Sequence, residues 1–389
     1  MRISVVADDT IAIGERASNA HRTCVTGYAP LVQASATQQH SEHIVIVGDG
    51  QMALVLADVL AYRLGDASSK QRADMLGSVA ILSPFAQAAT ELAATRKSPR
   101  LAHFTLSENV RVTADPSVLA TATMVVCAIP TQFIRATFTR FADALPRGVP
   151  VVSVAKGIEV ETFRVPCDII GETLGETHAL AALSGPTIAA ELARRLPAAL
   201  VAASSDEALA MRVQAAFTSP WTKIYTSDDV VGVELAGACK NVIAIAAGVA
   251  DGLGLGANAK SALLARGLAE MARVGVALGG RVETFFGVAG AGDLATTCFA
   301  PEGRNRSFGE RLARATEGDA SARVQMALAA SNSVVEGVPT AQALVRLARE
   351  RNLDLPICSA VAAMVFDGLD PRQALAQLMA RASTTERIS

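Results

Sequence analysis

Aromatic residues are scarce in this chain, at 4% of 389 residues, while hydrophobic residues as a class reach 51%. The core must therefore be filled by small and aliphatic side chains, which lets helices approach closely. Charge of one sign is also missing: the net value is −2, which gives no general attraction to nucleic acid or to an anionic membrane. The short basic clusters Arg96-Lys97-Arg100 and Arg194-Arg195 lack interleaved aromatics and read as solvated helix ends. Cysteine is thinly spread. Cys24, Cys127, Cys167, Cys239, Cys298 and Cys358 form no C-x-x-C pair, and the five histidines do not cluster. That spacing argues against a zinc site and for a reducing compartment. Apolar runs are interrupted by Gly, Asp or Lys before about 18 residues, so no membrane span is expected. The first forty residues lack a basic segment followed by an apolar one, because Asp8 and Asp9 intervene. Residues 1–40 read as an extension ending in the polar linker QASATQQHSEH.

Beyond this linker the chain is rich in pattern. Ile44 to Val47 form a buried apolar strand, and Gly48-Asp49-Gly50-Gln51-Met52-Ala53 then opens a helix. This is G-x-G-x-x-A between a strand and a helix. Gly48 permits the tight turn, Gly50 lets the backbone approach a pyrophosphate, and Ala53 keeps helix and strand close. Asp49 is a negative charge beside the expected phosphates, so its side chain has to point away. The next strand, Val79 to Leu82, follows an inserted loop (GDASSKQRADMLG) and ends in Ser83-Pro84-Phe85, where an acid would mark NAD and an arginine NADP. The cofactor preference is unresolved at this point.

Short apolar strands at Val110 to Thr113, Met124 to Ile129, Val149 to Val154, Ala179 to Leu183 and Ala198 to Ala203 alternate with helical segments, which implies a mostly parallel sheet covered on both faces. Ligands then lie beyond the strand ends, where Pro130, Lys156-Gly157 and Ser184-Gly185-Pro186 fall. From about residue 228 onward only helices are expected. The predicted plan is an α/β Rossmann-like doubly wound sheet over 41–227 followed by an all-α domain over 228–389. The helix over 230–250 is unusual because Lys240 and Asn241 are the only strongly polar side chains from Leu235 to Ala250. A lysine there either lays its stem on the core and reaches water, or is desolvated and becomes a general acid/base.

The segments AKGIE (155–159), SGPTIAAE (184–191), GVELAGACKNVIAIAAGVADGLGLGANAKSALLARGLAEM (232–271), FFGVAGAGDLATTC (285–298), GRNRSFG (303–309) and VVEGVPTA (334–341) resemble the NAD(P)-dependent glycerol-3-phosphate dehydrogenase family, in the family's order over about 44–380. The resemblance implies reduction of dihydroxyacetone phosphate to sn-glycerol 3-phosphate for phospholipid synthesis, with NAD or NADP as cofactor, by a cytoplasmic homodimer. It makes Lys240 the proton donor, with Asp293 in a Gly-rich turn as its partner and Lys156 on the substrate oxygen. It assigns Gly185, Thr187, Asn241, Asp293, Thr297, Arg304 and Asn305 to the substrate, with Arg306 left to cap or solvate the next helix. The cofactor contacts it implies are Gly48, Gly50, Gln51, Met52, Ala53, Lys156, Ala189, Arg304 and Glu336. Met52 stands where the family often has an aromatic residue, and Ser-Pro-Phe where bacterial members carry arginine. A related hydroxyacid dehydrogenase, or a homologue that binds nucleotide without turnover, are the alternatives.

Overall fold

The computed structural model describes residues 41–65, 76–315, 319–331, 334–382 and 385. The extension 1–40 and nearly all of the inserted loop after the first helix lie outside the described residues. Eight strands form one sheet: β1 (Glu42–Val47), β2 (Leu76–Leu82), β3 (Val110–Thr113), β4 (Met124–Cys127), β5 (Val151–Ser153), β6 (Leu180–Ser184), β7 (Ala198–Ala203) and β8 (Thr222–Ser227). Their spatial order is β3-β2-β1-β4-β5-β6-β7-β8. Every pairing is parallel except that of β6 with β7. Helices α1 (Gln51–Gly65), α2 (Ala86–Thr95), α3 (Ile134–Phe141), α4 (Pro166–Leu174), α5 (Ala189–Ala193) and α6 (Glu207–Phe217) connect them.

Side chains of β1 alternate between two cores, as the two-residue period of a strand requires. Ile44 and Ile46 join Leu54 and Leu60 of α1 and Phe217 of α6 on one face. Val45 and Val47 join Phe138 of α3 and Ile169 of α4 on the other. The sheet is thus covered on both faces, as the sequence predicts. Strand β8 is an addition to the predicted plan. Its buried Thr222 and Ile224 alternate with exposed Lys223 and Tyr225, the half-polar pattern of an edge strand, which a search for apolar runs passes over.

The remaining described elements are helical: α7 (Val230–Gly252), α8 (Gly256–Ala277), α9 (Val282–Phe286), α10 (Asp293–Phe299), α11 (Arg304–Arg314), α12 (Ala320–Ala329), α13 (Gly337–Arg351), α14 (Pro356–Phe366) and α15 (Pro371–Met379). Helix α7 starts at Asp229, whose Oδ1 accepts from Gly232 N at 2.9 Å, while Oδ2 accepts from Arg281 N at 2.9 Å. It is buried without a break from Gly232 to Ile245, so it runs through the core. By length and hydropathy alone this helix could cross a membrane, contrary to the expectation drawn from its interruptions. Its most apolar window has mean hydropathy 1.6, and 83% of that window is covered by the rest of the protein. Lys240 and Asn241 do interrupt the apolar run, yet two polar residues do not lower the average enough.

Burial of α7 is completed by backbone contact. A Cβ on Gly248 would stand 1.8 Å from the carbonyl oxygen of Arg306, and one on Gly309 would stand 2.0 Å from that of Ile245. Helix α11 therefore lies directly on α7, with no room for a methyl group between them. Gly248→Ala is expected to cost about 1–3 kcal/mol through overpacking. Urea unfolding would read this as a lower midpoint at unchanged slope, and an unchanged midpoint would show that α11 can move away freely.

Glu234 of the same helix is 3% exposed, and its Oε1 accepts from Cys167 N at the start of α4 at 2.9 Å. Burial pushes its carboxyl up to about 8, against the lowering effect of that hydrogen bond. Glu270 of α8 does the same for α14, accepting from Ile357 N at 2.7 Å and Cys358 N at 3.0 Å. Both glutamates satisfy orphan amide groups at helix starts.

Candidate active site

The loops after β4, β5 and β6 open at one edge of the sheet, and α7 runs past that edge. Close approach is possible because Gly237 has no side chain: a Cβ there would lie 3.0 Å from Ser184 Oγ and 3.4 Å from Lys156 Cγ. Lys240, one turn further on, is 5% exposed, and Asp293 is 1% exposed. Lys240 Nζ donates to Asp293 Oδ1 at 2.5 Å and to Thr297 Oγ1 at 2.6 Å. The other carboxylate oxygen, Oδ2, accepts from Lys156 Nζ at 2.8 Å. Lys156 also donates to Gly185 O at 2.8 Å and Thr187 Oγ1 at 3.2 Å.

One carboxylate therefore faces two ammonium groups. Burial lowers the pKa of Lys240 to about 8; the Lys156 charge acts in the same direction, and Asp293 opposes both. For Asp293 burial acts upward, yet the charges of Lys156 and Lys240 outweigh it and hold the carboxyl below its usual range. Of the two situations open to Lys240 in the sequence, the structure shows the desolvated one: its amine is buried.

Asp293 does not lie in a simple turn. It is the first residue of α10 and follows a π-helical turn, Val288–Gly292. The π turn exists because Gly290 lets the backbone pass close to Phe285, whose carbonyl oxygen would be 2.1 Å from a Cβ. Thr297 is one turn along α10, which aims both residues at Lys240.

A second chain of contacts carries Asn241, Asn305 and Glu336. Asn241 Nδ2 donates to Lys156 O at 3.0 Å, and Asn241 Oδ1 accepts from Asn305 Nδ2 at 2.9 Å. Asn305 Oδ1 in turn accepts from Gly337 N at 2.9 Å. Both ends of the Asn241 amide are thus spent on protein groups. Arg304 opens α11 with an exposed side chain, and its charge acts on Glu336. Arg306, expected at the surface as a cap, instead donates from Nε to Asp251 Oδ2 at 2.6 Å, because the contact at Gly248 brings α11 onto α7.

The glycine turn lies further along the same edge. Gly48 has φ +122, and a Cβ there would meet Ala128 O at 2.5 Å, so glycine is required. Gly50 has open space where a Cβ would stand, Ala53 is fully buried, and Met52 packs partly into the core. Gln51, Met52, Ala53 and Ala189 make none of the hydrogen bonds that join the lysines. Between the turn and the lysines lies Thr131, which follows β4 and stands 2.6 Å, by its Oγ1, from where a Cβ on Gly157 would be. Its amide donates to Glu336 Oε1 at 3.3 Å.

Among the described residues, Thr131 Oγ1 and Glu336 Oε2 are buried with no hydrogen-bond partner. Both crowd Gly157, lying 2.6 and 3.0 Å from where its Cβ would be. Burial pushes the Glu336 carboxyl up to about 7, while the Thr131 amide and Arg304 oppose this. An orphaned donor, an orphaned acceptor and the open approach at Gly50 fit a dinucleotide lying along this edge. Thr131 is not among the residues predicted from sequence, although its place directly after Pro130 at a strand end is the available signal. Arg100, read from sequence as part of a solvated basic cluster, instead donates from Nη1 to Asp49 Oδ1 at 2.7 Å, and the available signal is Asp49, since an acid in the glycine turn calls for a counter-charge.

Comparisons with known proteins agree with this geometry. Residues 43–210 match the model for the N-terminus of NAD-dependent glycerol-3-phosphate dehydrogenase, and residues 229–376 match the model for its C-terminus. A glycerol-3-phosphate dehydrogenase [NAD(P)+] from Thermobifida fusca is 44% identical over 283 residues, which is 72% of this chain and 82% of the relative. One from a Geobacter species is 38% identical over 88% of this chain and 98% of the relative. The crystal structure of glycerol-3-phosphate dehydrogenase from Coxiella burnetii superposes with a TM-score of 0.79 at 30% identity, covering 88% of this chain and 99% of that one. With matches over both the sheet and the helices, this chain belongs to the NAD-dependent glycerol-3-phosphate dehydrogenase family.

Proposed function

We propose that this chain catalyses the reversible reduction of dihydroxyacetone phosphate to sn-glycerol 3-phosphate with NADH or NADPH, for phospholipid synthesis. Residues 41–227 form its dinucleotide-binding domain and 228–389 its substrate domain. The observation that carries this reading is the buried cluster in which Asp293 holds Lys240 and Lys156 on its two oxygens. A reduced nicotinamide held at the glycine turn would supply hydride to C2 of the ketone. The carbonyl oxygen then carries the negative charge, and the Lys240 ammonium donates a proton to it, yielding the secondary alcohol. Asp293 and Thr297 fix the Lys240 amine by their hydrogen bonds. Lys156, fixed by Gly185 O and Thr187, provides a second positive charge beside the same oxygen.

Arg304 and Asn305 at the start of α11 bind the substrate phosphate, for which a planar guanidinium with two parallel donors is well shaped. The Asn241 amide ties Asn305 to the Lys156 main chain, so phosphate and proton donor keep a fixed spacing. Gly48 and Gly50 hold the pyrophosphate at the start of α1. Thr131 and the Glu336 carboxyl group that it contacts would hold the cofactor on the side of β1 away from β2, because Thr131 follows β4. The same reading includes a homodimer and a cytoplasmic location, where the free buried thiols of Cys127, Cys167, Cys239, Cys298 and Cys358 stay reduced.

Steady-state oxidation of NADH or NADPH, followed at varied dihydroxyacetone phosphate, tests the reaction. Saturable, ketone-dependent turnover is expected with at least one cofactor. A protein that binds cofactor yet shows no such turnover with either is a silent homologue, and the reading fails.

A further inference from the structure

At the outer end of the glycine turn, Asp49 is 8% exposed and makes two side-chain contacts. Its Oδ2 accepts from Ser83 Oγ at 2.7 Å, and its Oδ1 accepts from Arg100 Nη1 at 2.7 Å. Ser83 is the first residue after β2, and Gly48 N donates to Leu82 O at 2.9 Å, so the turn and the end of β2 are joined. In doubly wound sheets the adenosine ribose lies at this place, where an acid accepts from the 2′-hydroxyl or an arginine takes a 2′-phosphate. Here the strand end offers neither, and a neighbouring loop brings in an arginine instead.

We propose that Arg100 is the receptor for the 2′-phosphate of the cofactor and that this chain prefers NADP(H) to NAD(H). The inference rests on the dinucleotide reading of the glycine turn given above. Three observations carry it. Both oxygens of the nearly buried Asp49 carboxylate are already engaged, so ribose hydroxyls would have to displace Ser83 or Arg100 to use it. The Arg100 side chain is 45% exposed, and among the described residues its guanidinium is engaged only by Asp49, through Nη1. Its Nε and Nη2 hydrogens are left for a ligand with two acceptor oxygens. The Arg100 main chain is tethered as well: its carbonyl accepts from Gln51 Nε2, on the first turn of α1, and its amide donates to Ser98 Oγ at 3.3 Å. Asp49 thus serves as a positioning residue whose charge is cancelled by the guanidinium it holds. This also accounts for an acidic residue in a phosphate-binding turn.

The test uses the full chain and two fragments that cannot react. Isothermal titration with adenosine 2′,5′-bisphosphate is expected to give roughly ten- to hundredfold tighter binding than with adenosine 5′-monophosphate, the worth of hydrogen bonds to a charged group. Arg100→Ala should abolish the difference while leaving the monophosphate affinity unchanged. That variant leaves Asp49 without its counter-charge and could unsettle the turn, so the double variant Asp49→Asn, Arg100→Ala is measured alongside it, and the same loss of discrimination is expected. Equal affinity for the two fragments in the unaltered chain overturns the proposal, as does a preference that survives in the double variant. Turnover of dihydroxyacetone phosphate without a bisphosphate preference would sink this inference and leave the proposed function standing. The reverse pattern would do the opposite.

Discussion

Lys240→Met lowers kcat for ketone reduction by about two to four orders of magnitude, the usual contribution of a positioned proton donor. Methionine keeps the length and apolar body of the side chain without placing a new polar group in a site that is 5% exposed. The effect should fall on kcat, because Arg304 and Asn305, the residues proposed to hold the substrate phosphate, are untouched by the substitution. The pH profiles give an independent check. With the amine's pKa lowered to about 8, reduction requires the protonated form and declines as pH rises through that value. Oxidation of glycerol 3-phosphate requires the neutral amine and declines as pH falls through it. The two directions should show opposite limbs with a shared midpoint, and both should vanish in Lys240→Met. Profiles that stay flat from about pH 7 to 9 in both directions would remove Lys240 from the proton transfer.

Asp293→Asn has a different signature, since it strikes stability as well as turnover. The carboxylate is 1% exposed and, among the described residues, is the only acid that the two lysine amines share within hydrogen-bond distance. Removing its charge leaves two adjacent ammonium groups, one of them deeply buried, without compensation. Breaking such a pair costs roughly 3–5 kcal/mol, a large share of the roughly 5–15 kcal/mol that holds an ordinary domain together. The protein can relieve part of this by releasing the Lys240 proton, so the midpoint of the reduction profile should move to lower pH. Urea unfolding at neutral pH reads the stability loss, and the profile reads the shift. Retention of wild-type stability together with an unmoved midpoint would show that Asp293 does not govern Lys240.

Much of the fold can be read along the chain because it is encoded in local period. Apolar strand runs, the glycine turn after β1 and the long interrupted helix at 230 are patterns of neighbouring residues. Apolar runs mark every strand from β1 to β7, whereas β8 escapes because its alternation is half polar, as an exposed edge allows. The helix at Asp293 escapes because Gly290 and Gly292 look like a turn, and only the close passage of Phe285 makes the segment a π turn running into α10. The chemistry of Lys240 is half legible. Its apolar neighbours point to desolvation, whereas the depth of burial depends on α10 and α11 lying against α7.

The sequence by itself determined the element types, the glycine turn and the presence of a lysine among apolar neighbours, since each depends on residues within a few positions of one another. Tertiary structure alone decided that Asp293 grips Lys156 and Lys240 together, residues 137 and 53 positions away from it. It also decided that Arg100 meets Asp49 across 51 positions. Contacts at such separations leave no periodic trace in the chain. They arise when glycine-mediated helix approach and sheet order bring distant charges into a space with too little water to keep them apart.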